Sequence, residues 1–325
     1  DSIVSREGSF LGVNILFVAL TFAVLLGTLF PLLVEAISGD KVTIGAPFFD
    51  QVTLPLWMLV LLLMGIGPLL PWRRAEQQRL KHNLLWLGAG FVVAGGLAVL
   101  FGVHKVYPAL TVALAGYNVV SLGLLLSGAL MPRLRLARRP ALQVLRSYAH
   151  ESRRRVGSMI THFGVVIIAI GVAFSAGYRV DQQVRIDFGE SVVFEGYTLT
   201  AVDRYMERTA QRISAGVVIE VSRDGQLIRT MRPRLNQFGD RRAVPTPAVM
   251  YTPWHDLYLN LNSTVTPTTT FAVLRVVKSP LVTWIWIGGF ILALGTLYSL
   301  SGSARTVPVR ASVGSGAARE EGASA

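Results

Sequence analysis

Apolar residues gather into six runs, each long enough to cross a lipid bilayer as a helix. A helix of about 20 residues covers the hydrocarbon core, so each run predicts one membrane span. The runs lie near residues 11–34, 52–71, 83–103, 107–130, 159–177 and 281–300. Aromatic rings with a polar edge favour the membrane interface and are expected near the ends of spans. The residues that fit this expectation are Trp57, Trp72, Tyr107, Trp284 and Trp286.

A different pattern begins at residue 178 and continues to residue 280. Apolar and polar positions alternate in VRIDF, SVVFEGYTLTAV, GVVIEVSRDGQLIRTM and TTTFAVLRVV, which is typical of half-buried strands. The dipeptide Asp224-Gly225 predicts a hairpin with a type I′ turn, because both residues tolerate positive φ. The stretch 232–253 holds four prolines and several charges, so it is expected to be loop.

Together these patterns predict a fold class and a domain division. The fold is a polytopic α-helical membrane protein of about six transmembrane helices, with a small extracytoplasmic β-rich domain inserted before the last helix. Residues 1–177 hold five helices, 178–280 the β-rich domain and 281–300 the sixth helix. Residues 301–325 are rich in Gly, Ser and Ala, and are expected to form a disordered cytoplasmic tail.

Charge sets the predicted orientation in the membrane. Lys and Arg number 31 against 19 Asp and Glu. The basic residues concentrate in 72–82 and 131–155, whereas 35–51 holds Lys41 alone. Short basic loops remain in the cytoplasm, so both termini are predicted to be cytoplasmic and the β-rich domain external. Because the arginines flank membrane spans and do not alternate with aromatic residues, the sequence indicates no nucleic-acid partner.

Composition and motifs exclude several chemistries. The chain has no cysteine, which rules out disulfides, thiolate metal sites and thiol relays within it. The absence of P-loop, HExxH, GxSxG and paired-carboxylate patterns weighs against nucleotide-driven and hydrolytic functions. The predicted spans also lack buried Asp, Glu, Lys and Arg, which disfavours an ion-coupled transporter. The sequence identifies no catalytic residue.

The fifth span, in RVGSMITHFGVVIIAIGVAFSAGY, contains His162 about one turn inside its cytoplasmic end. Its helical face continues through Ala169, Ala173 and Ala176, and small residues let a second helix or a flat ligand approach closely. Ionisable groups inside membranes are usually functional. We therefore expect a neutral imidazole that binds a metal through Nε2, with haem iron preferred and Nδ1 held by a hydrogen-bond acceptor. The alternative is a structural histidine bonded to a neighbouring helix or to the interface.

A haem held by two histidines needs a second ligand at the same depth, and the other histidines supply none. His104 lies on the opposite side of the membrane in VHKVYP, where capping or headgroup contact is expected. His82 and His150 lie in arginine-rich cytoplasmic loops and are expected to be solvated. His255, in TPWHDLYL, belongs to the external domain and could contact a ligand or partner. The second ligand of His162 is thus expected outside this chain.

Seven stretches carry a family resemblance in order along the chain to about Leu300. They are SREGSFLGVNILF, LLGTLFPL, GAPFFD, GIGPLLPWRR, SMITHFGV, FGESVVFEGYTL and VVKSPLVTWIWIGGFILALGTLYSL. Each stretch is weak evidence alone. The ordered set resembles the C-terminal half of CcmF-type cytochrome c biogenesis proteins, the haem lyase component of that system.

The resemblance implies a function in c-type cytochrome maturation at the bacterial inner membrane, with the β-rich domain on the periplasmic side. His162 matches the intramembrane histidine that is one of two axial ligands to a resident haem b. That haem is thought to reduce a second haem, which a haem chaperone delivers on the external face and which is then attached to the cysteines of apocytochrome c. Other implied partners are the thiol oxidoreductase and apocytochrome-docking subunits of the lyase.

The chain also departs from the family pattern. The tryptophan-rich haem motif, the two external histidines and the second intramembrane histidine are absent, and each would precede Asp1. We therefore expect a fragment or a split-gene product that needs an upstream half and is not a complete lyase alone. The competing interpretations are a permease half and a non-redox assembly scaffold with an external partner-binding domain.

Overall fold

The computed structural model describes residues 5–70, 77–137, 139–239 and 241–302. Its helices are α1 Arg6–Ser38, α2 Ala46–Ile66 with a 3₁₀ turn over Gly67–Leu69, α3 Gln77–Leu100, α4 Val106–Leu136, α5 Ala141–Glu151, α6 Arg153–Gly177 and α7 Val282–Leu300. Within the described ranges, six helices, all but α5, are long and apolar enough to span a membrane. The predicted six-helix membrane fold is therefore confirmed, and the protein is a multi-pass membrane protein. Trp72 and most of the predicted tail, residues 303–325, lie outside the described residues.

Helices α6 and α7 pack backbone to backbone through glycines spaced seven residues apart. Gly157, Gly164 and Gly171 lie on α6, and Gly288 and Gly295 lie opposite them on α7. A Cβ at Gly157 would lie 2.6 Å from the carbonyl oxygen of Gly295. Without a hydrophobic driving force in lipid, small residues stabilise such pairs by allowing close contact.

Polar side chains of α4 form hydrogen bonds to backbone carbonyls near the end of α2. Asn118 donates from Nδ2 to the carbonyl oxygen of Leu61, at 3.0 Å, and the hydroxyl of Tyr117 donates to that of Leu62. Ser121 Oγ donates to the Gly65 carbonyl at 2.5 Å. These bonds hold α2 just before its 3₁₀ turn, where the α-helical hydrogen-bond pattern ends.

Two sequence expectations about the helical part are wrong in detail. The basic segment 131–155 was expected to be loop, yet α4 continues to Leu136 and α5 occupies Ala141–Glu151. Val144 and Tyr148 are buried four residues apart on α5, so this short helix is amphipathic and its polar face made it look like a loop. Trp57 lies in the middle of α2, where it contacts Phe17 edge to face, and not at an end of the helix.

Ten strands connect α6 to α7. They are β1 Val180–Asp187, β2 Ser191–Phe194, β3 Tyr197–Arg208, β4 Ile213–Arg223, β5 Gln226–Met231, β6 Arg234–Gln237, β7 Val244–Thr246, β8 Ala248–Met250, β9 His255–Leu261 and β10 Phe271–Pro280. One antiparallel sheet has the order β1-β10-β9-β8, and the other β2-β3-β4-β6-β7 with β5 also paired to β4. Because β1 follows α6 and β10 precedes α7, the β-rich part lies at the end of the bundle opposite the arginine-rich start of α6.

The two sheets share one apolar core. Its fully buried members come from both sheets and include Leu199, Val217, Ile219, Leu257 and Leu274. These side chains alternate with more exposed ones along each strand, which confirms the period-two pattern as strand.

Turn chemistry also agrees with the sequence, with one correction. Asp224 and Gly225, between β4 and β5, have φ of 52° and 78°, as a type I′ turn requires. The stretch 232–253 is not all loop, since it holds β6, β7 and β8. Pro245 fits because β7 is an edge strand, where a missing backbone donor is tolerated.

A leucine-lined cleft that contains His162

A cleft of about 830 Å³ lies between α1, α3, α4, α6 and the 3₁₀ turn. Much of its wall is aliphatic, formed by Leu69, Leu70, Leu80, Leu122, Leu124 and Leu125. The polar groups that line it are Arg6, Asn83, Arg154, Arg155, Ser158 and His162. A cleft with an aliphatic wall and several polar side chains suits a ligand or cofactor that has both apolar and polar parts.

His162 is half-buried on α6 and lines this cleft. Its Nδ1 lies 2.7 Å from the carbonyl oxygen of Ser158, one turn earlier, and 3.5 Å from the Ser158 hydroxyl. A carbonyl only accepts hydrogen bonds, so Nδ1 carries the proton and donates it. Among the described residues Nε2 has no hydrogen-bond partner, which leaves its lone pair for a metal.

The glycines near His162 contact a helix and not the cleft. A Cβ at Gly164 would lie 2.7 Å from the backbone nitrogen of Leu292, and one at Gly171 would lie 2.7 Å from Ile285. His162 precedes Gly164 by two residues, which is about 200° around the helix. The partner of these two glycines is therefore α7.

The residues beside His162 could have been found from helical spacing. Ser158, Arg155 and Arg154 precede it by four, seven and eight residues, so they share its face of α6. In the sequence, these arginines beside a membrane span indicate the orientation of the chain and also suit anionic lipid headgroups. Their place in the cleft depends on how α6 packs against α4, which the sequence does not reveal.

The other four histidines do not line the cleft. The main-chain nitrogens of His104 and Lys105 donate to the hydroxyl of Tyr178, so the α3–α4 turn is fixed to the end of α6. His82 Nε2 accepts from Trp86 Nε1 at 3.2 Å, and His150 is exposed on α5. In the described part of the chain no group of three metal-binding side chains occurs.

His255 belongs to a buried polar cluster where β9 meets α7. Its Nε2 lies 2.6 Å from the Tyr197 hydroxyl. Burial lowers the pKa of His255, and the charges of Lys278 and Arg223 lower it further against the opposing effect of Asp256. The imidazole of His255 is therefore harder to protonate than that of a solvent-exposed histidine.

Asp256 joins this cluster to α7, and sequence reasoning missed it. Its carboxylate is 1% exposed and accepts from the hydroxyls of Tyr258 and Thr283, at 3.4 and 3.5 Å. Burial raises the pKa of Asp256, although these hydrogen bonds oppose the shift. Trp284 donates from Nε1 to the Pro253 carbonyl at 2.8 Å, so this cluster couples the β-rich part to the last helix.

Known proteins similar to this chain are cytochrome c biogenesis proteins. The chain is 31% identical over 306 residues to the cytochrome c-type biogenesis protein CcmF of Escherichia coli, covering 91% of this chain and 44% of that protein. It is 30% identical over 300 residues to CcmF of Haemophilus influenzae, covering 90% of this chain and 44% of that protein. The cytochrome c-type biogenesis protein NrfE of the same organism is 25% identical over 307 residues, with 93% and 45% covered. No family model matches the chain.

A solved structure shows the same fold. The chain superposes on the cytochrome c haem lyase CcmF with a TM-score of 0.69 and 31% identity, over 92% of this chain and 46% of that one. The chain therefore spans less than half the length of the relatives it matches. The ordered motifs, the six membrane helices and this superposition agree, and the chain is similar to the C-terminal half of CcmF-type cytochrome c biogenesis proteins.

Proposed function

We propose that this chain is a membrane subunit of c-type cytochrome maturation that holds a haem b through His162. The observation that carries the proposal is the 2.7 Å contact between His162 Nδ1 and the Ser158 carbonyl in a leucine-lined cleft. It fixes the tautomer whose Nε2 can bind iron. When bound, haem b supplies a one-electron redox centre.

The chain's own residues position and shield this centre. The Ser158 carbonyl orients the ring of His162 and holds its Nδ1 proton, so that Nε2 is the nitrogen available to iron. The six leucines provide an apolar wall that limits water access, and a dry, low-dielectric surrounding is one of the protein's means of setting a haem potential. The α6–α7 glycine contact holds the backbone that carries His162, so the ligand position is rigid.

The missing second ligand supports a shared site. None of the other four histidines lines the cleft, and the relatives that match the chain are more than twice its aligned length. We infer that an upstream half of the protein would supply a second ligand to the iron. The cleft, bounded by helices of this chain, would then be completed by that half.

The proposed setting is the bacterial inner membrane with the β-rich part on the periplasmic side. Arg133, Arg135, Arg154 and Arg155 lie at ends of α4 and α6, and α6 carries the β-rich part at its other end. Positive residues favour the cytoplasmic side, which supports this orientation. The β-rich part would there contact a haem chaperone, apocytochrome c, and the thiol oxidoreductase and apocytochrome-docking subunits.

The test is a reduced-minus-oxidised optical spectrum with a pyridine haemochrome assay. The chain is co-expressed with an upstream CcmF-type half, purified in detergent, and compared with His162→Ala. We expect a b-type signal that needs the upstream half and disappears in His162→Ala, while His82→Ala, outside the cleft, retains it. Folded complex without haem in any preparation would reject the redox role and favour the scaffold.

A further inference from the structure

Two arginines that line the cleft, Arg154 and Arg155, have no role in the proposed binding of iron by His162. Arg154 and Arg155 lie on the His162 face of α6 and line the same cleft. At 1.5 Å per residue they are about 10–12 Å along the helix axis from His162. Both residues are exposed. Within the described ranges neither forms an ion pair with a carboxylate.

The lining of the cleft has the polarity of an amphipathic, flat, acidic ligand. Leucines line its walls, His162 lies on α6, and Arg154 and Arg155 lie about two helical turns before His162, towards the start of α6. A haem has the matching division, since its ring faces are apolar and its two propionate carboxylates share one edge. Arginine binds carboxylates through paired, charge-assisted hydrogen bonds.

From this match we infer that Arg154 and Arg155 bind the propionate carboxylates of the haem. The inference rests on the proposed role of His162 and adds a function for the arginines. They determine which edge of the macrocycle faces the arginine-rich end of the bundle. They also neutralise negative charge that would otherwise enter an apolar cleft at high cost.

A lipid phosphate is the other source of the same anionic chemistry. Basic residues near membrane ends commonly bind anionic headgroups. Haem is favoured here because Arg154 and Arg155 line the cavity that holds His162, whereas Arg146, on α5, is exposed outside it. A comparison of haem with its dimethyl ester, which lacks the carboxylate charges, distinguishes binding of haem propionates from binding of lipid phosphates.

The experiment uses the chain co-purified with an upstream CcmF-type half. Ferric haem b and its dimethyl ester are titrated into the haem-depleted wild-type complex and the double variant R154Q/R155Q. The matched control is R146Q/R153Q, which removes two charges outside the cleft; Arg153 instead donates to the Ser301 carbonyl at 3.2 Å. The midpoint potential of the bound haem is measured in parallel.

We expect R154Q/R155Q to weaken binding of haem by about tenfold or more, because glutamine cannot form the charge-assisted hydrogen bonds that arginine forms with a carboxylate. Binding of the dimethyl ester should change little, and the midpoint potential should fall because nearby cations favour the reduced, less positive iron centre. The control R146Q/R153Q should match wild type with both ligands.

Equal weakening for haem and its ester, or no weakening for either, would overturn the inference. A loss of binding to phosphatidylglycerol vesicles with unchanged haem affinity would also overturn it, and would assign the arginines to lipid. Failure of the proposed function looks different, since the wild-type complex would then bind no haem, or His162→Ala would leave its spectrum unchanged.

Discussion

The contact between α6 and α7 should fail if a single methyl group is added at Gly164. A Cβ there would lie 2.7 Å from the backbone nitrogen of Leu292, 2.8 Å from the Gly288 carbonyl oxygen and 3.0 Å from the Leu292 Cα. All three are backbone atoms, so no side chain can rotate away. The helices must separate for Gly164→Ala to be accommodated.

The magnitude follows from these distances. Comfortable contacts lie at about 3.5–4.0 Å, so the helices must move apart by about 0.5–1 Å at Gly164. Overpacking of this kind costs about 1–3 kcal/mol of unfolding free energy. Because the atoms in contact are backbone atoms that cannot rotate away, we expect a cost of about 3 kcal/mol here. Alanine regains about 1 kcal/mol of helix propensity relative to glycine. The net loss expected for Gly164→Ala is therefore about 2 kcal/mol.

Gly289→Ala is the matched control, because a Cβ at Gly289 meets nothing within 4 Å. It makes the same chemical change in the partner helix, and gains about 1 kcal/mol or is neutral by propensity alone. Both variants are compared with wild type by equilibrium unfolding in detergent, using the denaturant midpoint at unchanged slope. Gly164→Ala with stability equal to Gly289→Ala would show that α6 and α7 do not pack through this glycine face.

Three further predictions concern polar contacts. Asn118→Leu removes an interhelical hydrogen bond from α4 and should cost about 1 kcal/mol of unfolding free energy in detergent, the scale of such bonds in membranes; unchanged stability would contradict its role. Arg275 donates hydrogen bonds of 2.8 and 2.6 Å to Asp181, and these bonds and its positive charge lower the pKa of Asp181. The contribution of this pair to folding stability is therefore complete above about pH 4 and is lost as the pH falls through the lowered pKa. Arg275→Ala should therefore flatten the acid limb of a stability–pH curve, and a curve parallel to wild type would refute this. The lowered pKa of His255 predicts stability that falls as the pH drops below about 6.5, and His255→Gln should remove that slope in the same titration.

The sequence predicted the membrane helices and the strands because each has a simple periodicity. Burial in lipid needs a long apolar run, and a two-sided sheet needs alternation, so both patterns are local. The helix α5 was missed because its apolar side consists of Val144 and Tyr148 among charged residues. Short amphipathic helices in basic segments carry too few apolar positions to be distinguished from loop.

Prediction of the site was limited for a different reason. His162 was identified because a histidine inside an apolar run is unusual, and its hydrogen bond to Ser158 joins residues one turn apart. The leucines of the cleft come from two helices, α3 and α4, and from the end of the 3₁₀ turn. Asp256 and Thr283 likewise come from β9 and α7. Contacts between residues of different elements depend on tertiary packing, which sequence periodicity does not indicate.

The two faces of α6 explain why glycine and histidine occur so close together in one helix. Gly157, Gly164 and Gly171 allow α7 to approach until backbone touches backbone, and a contact that close permits only one rotation of α6 about its axis. His162 lies about 160° away from Gly164, so that rotation directs it to the side facing α3 and α4. Weaker packing between α6 and α7 at these glycines should therefore change the position of His162 as well as lower stability. Gly164→Ala is then expected to broaden or shift the b-type spectrum of the assembled complex, although it alters no residue that lines the cleft.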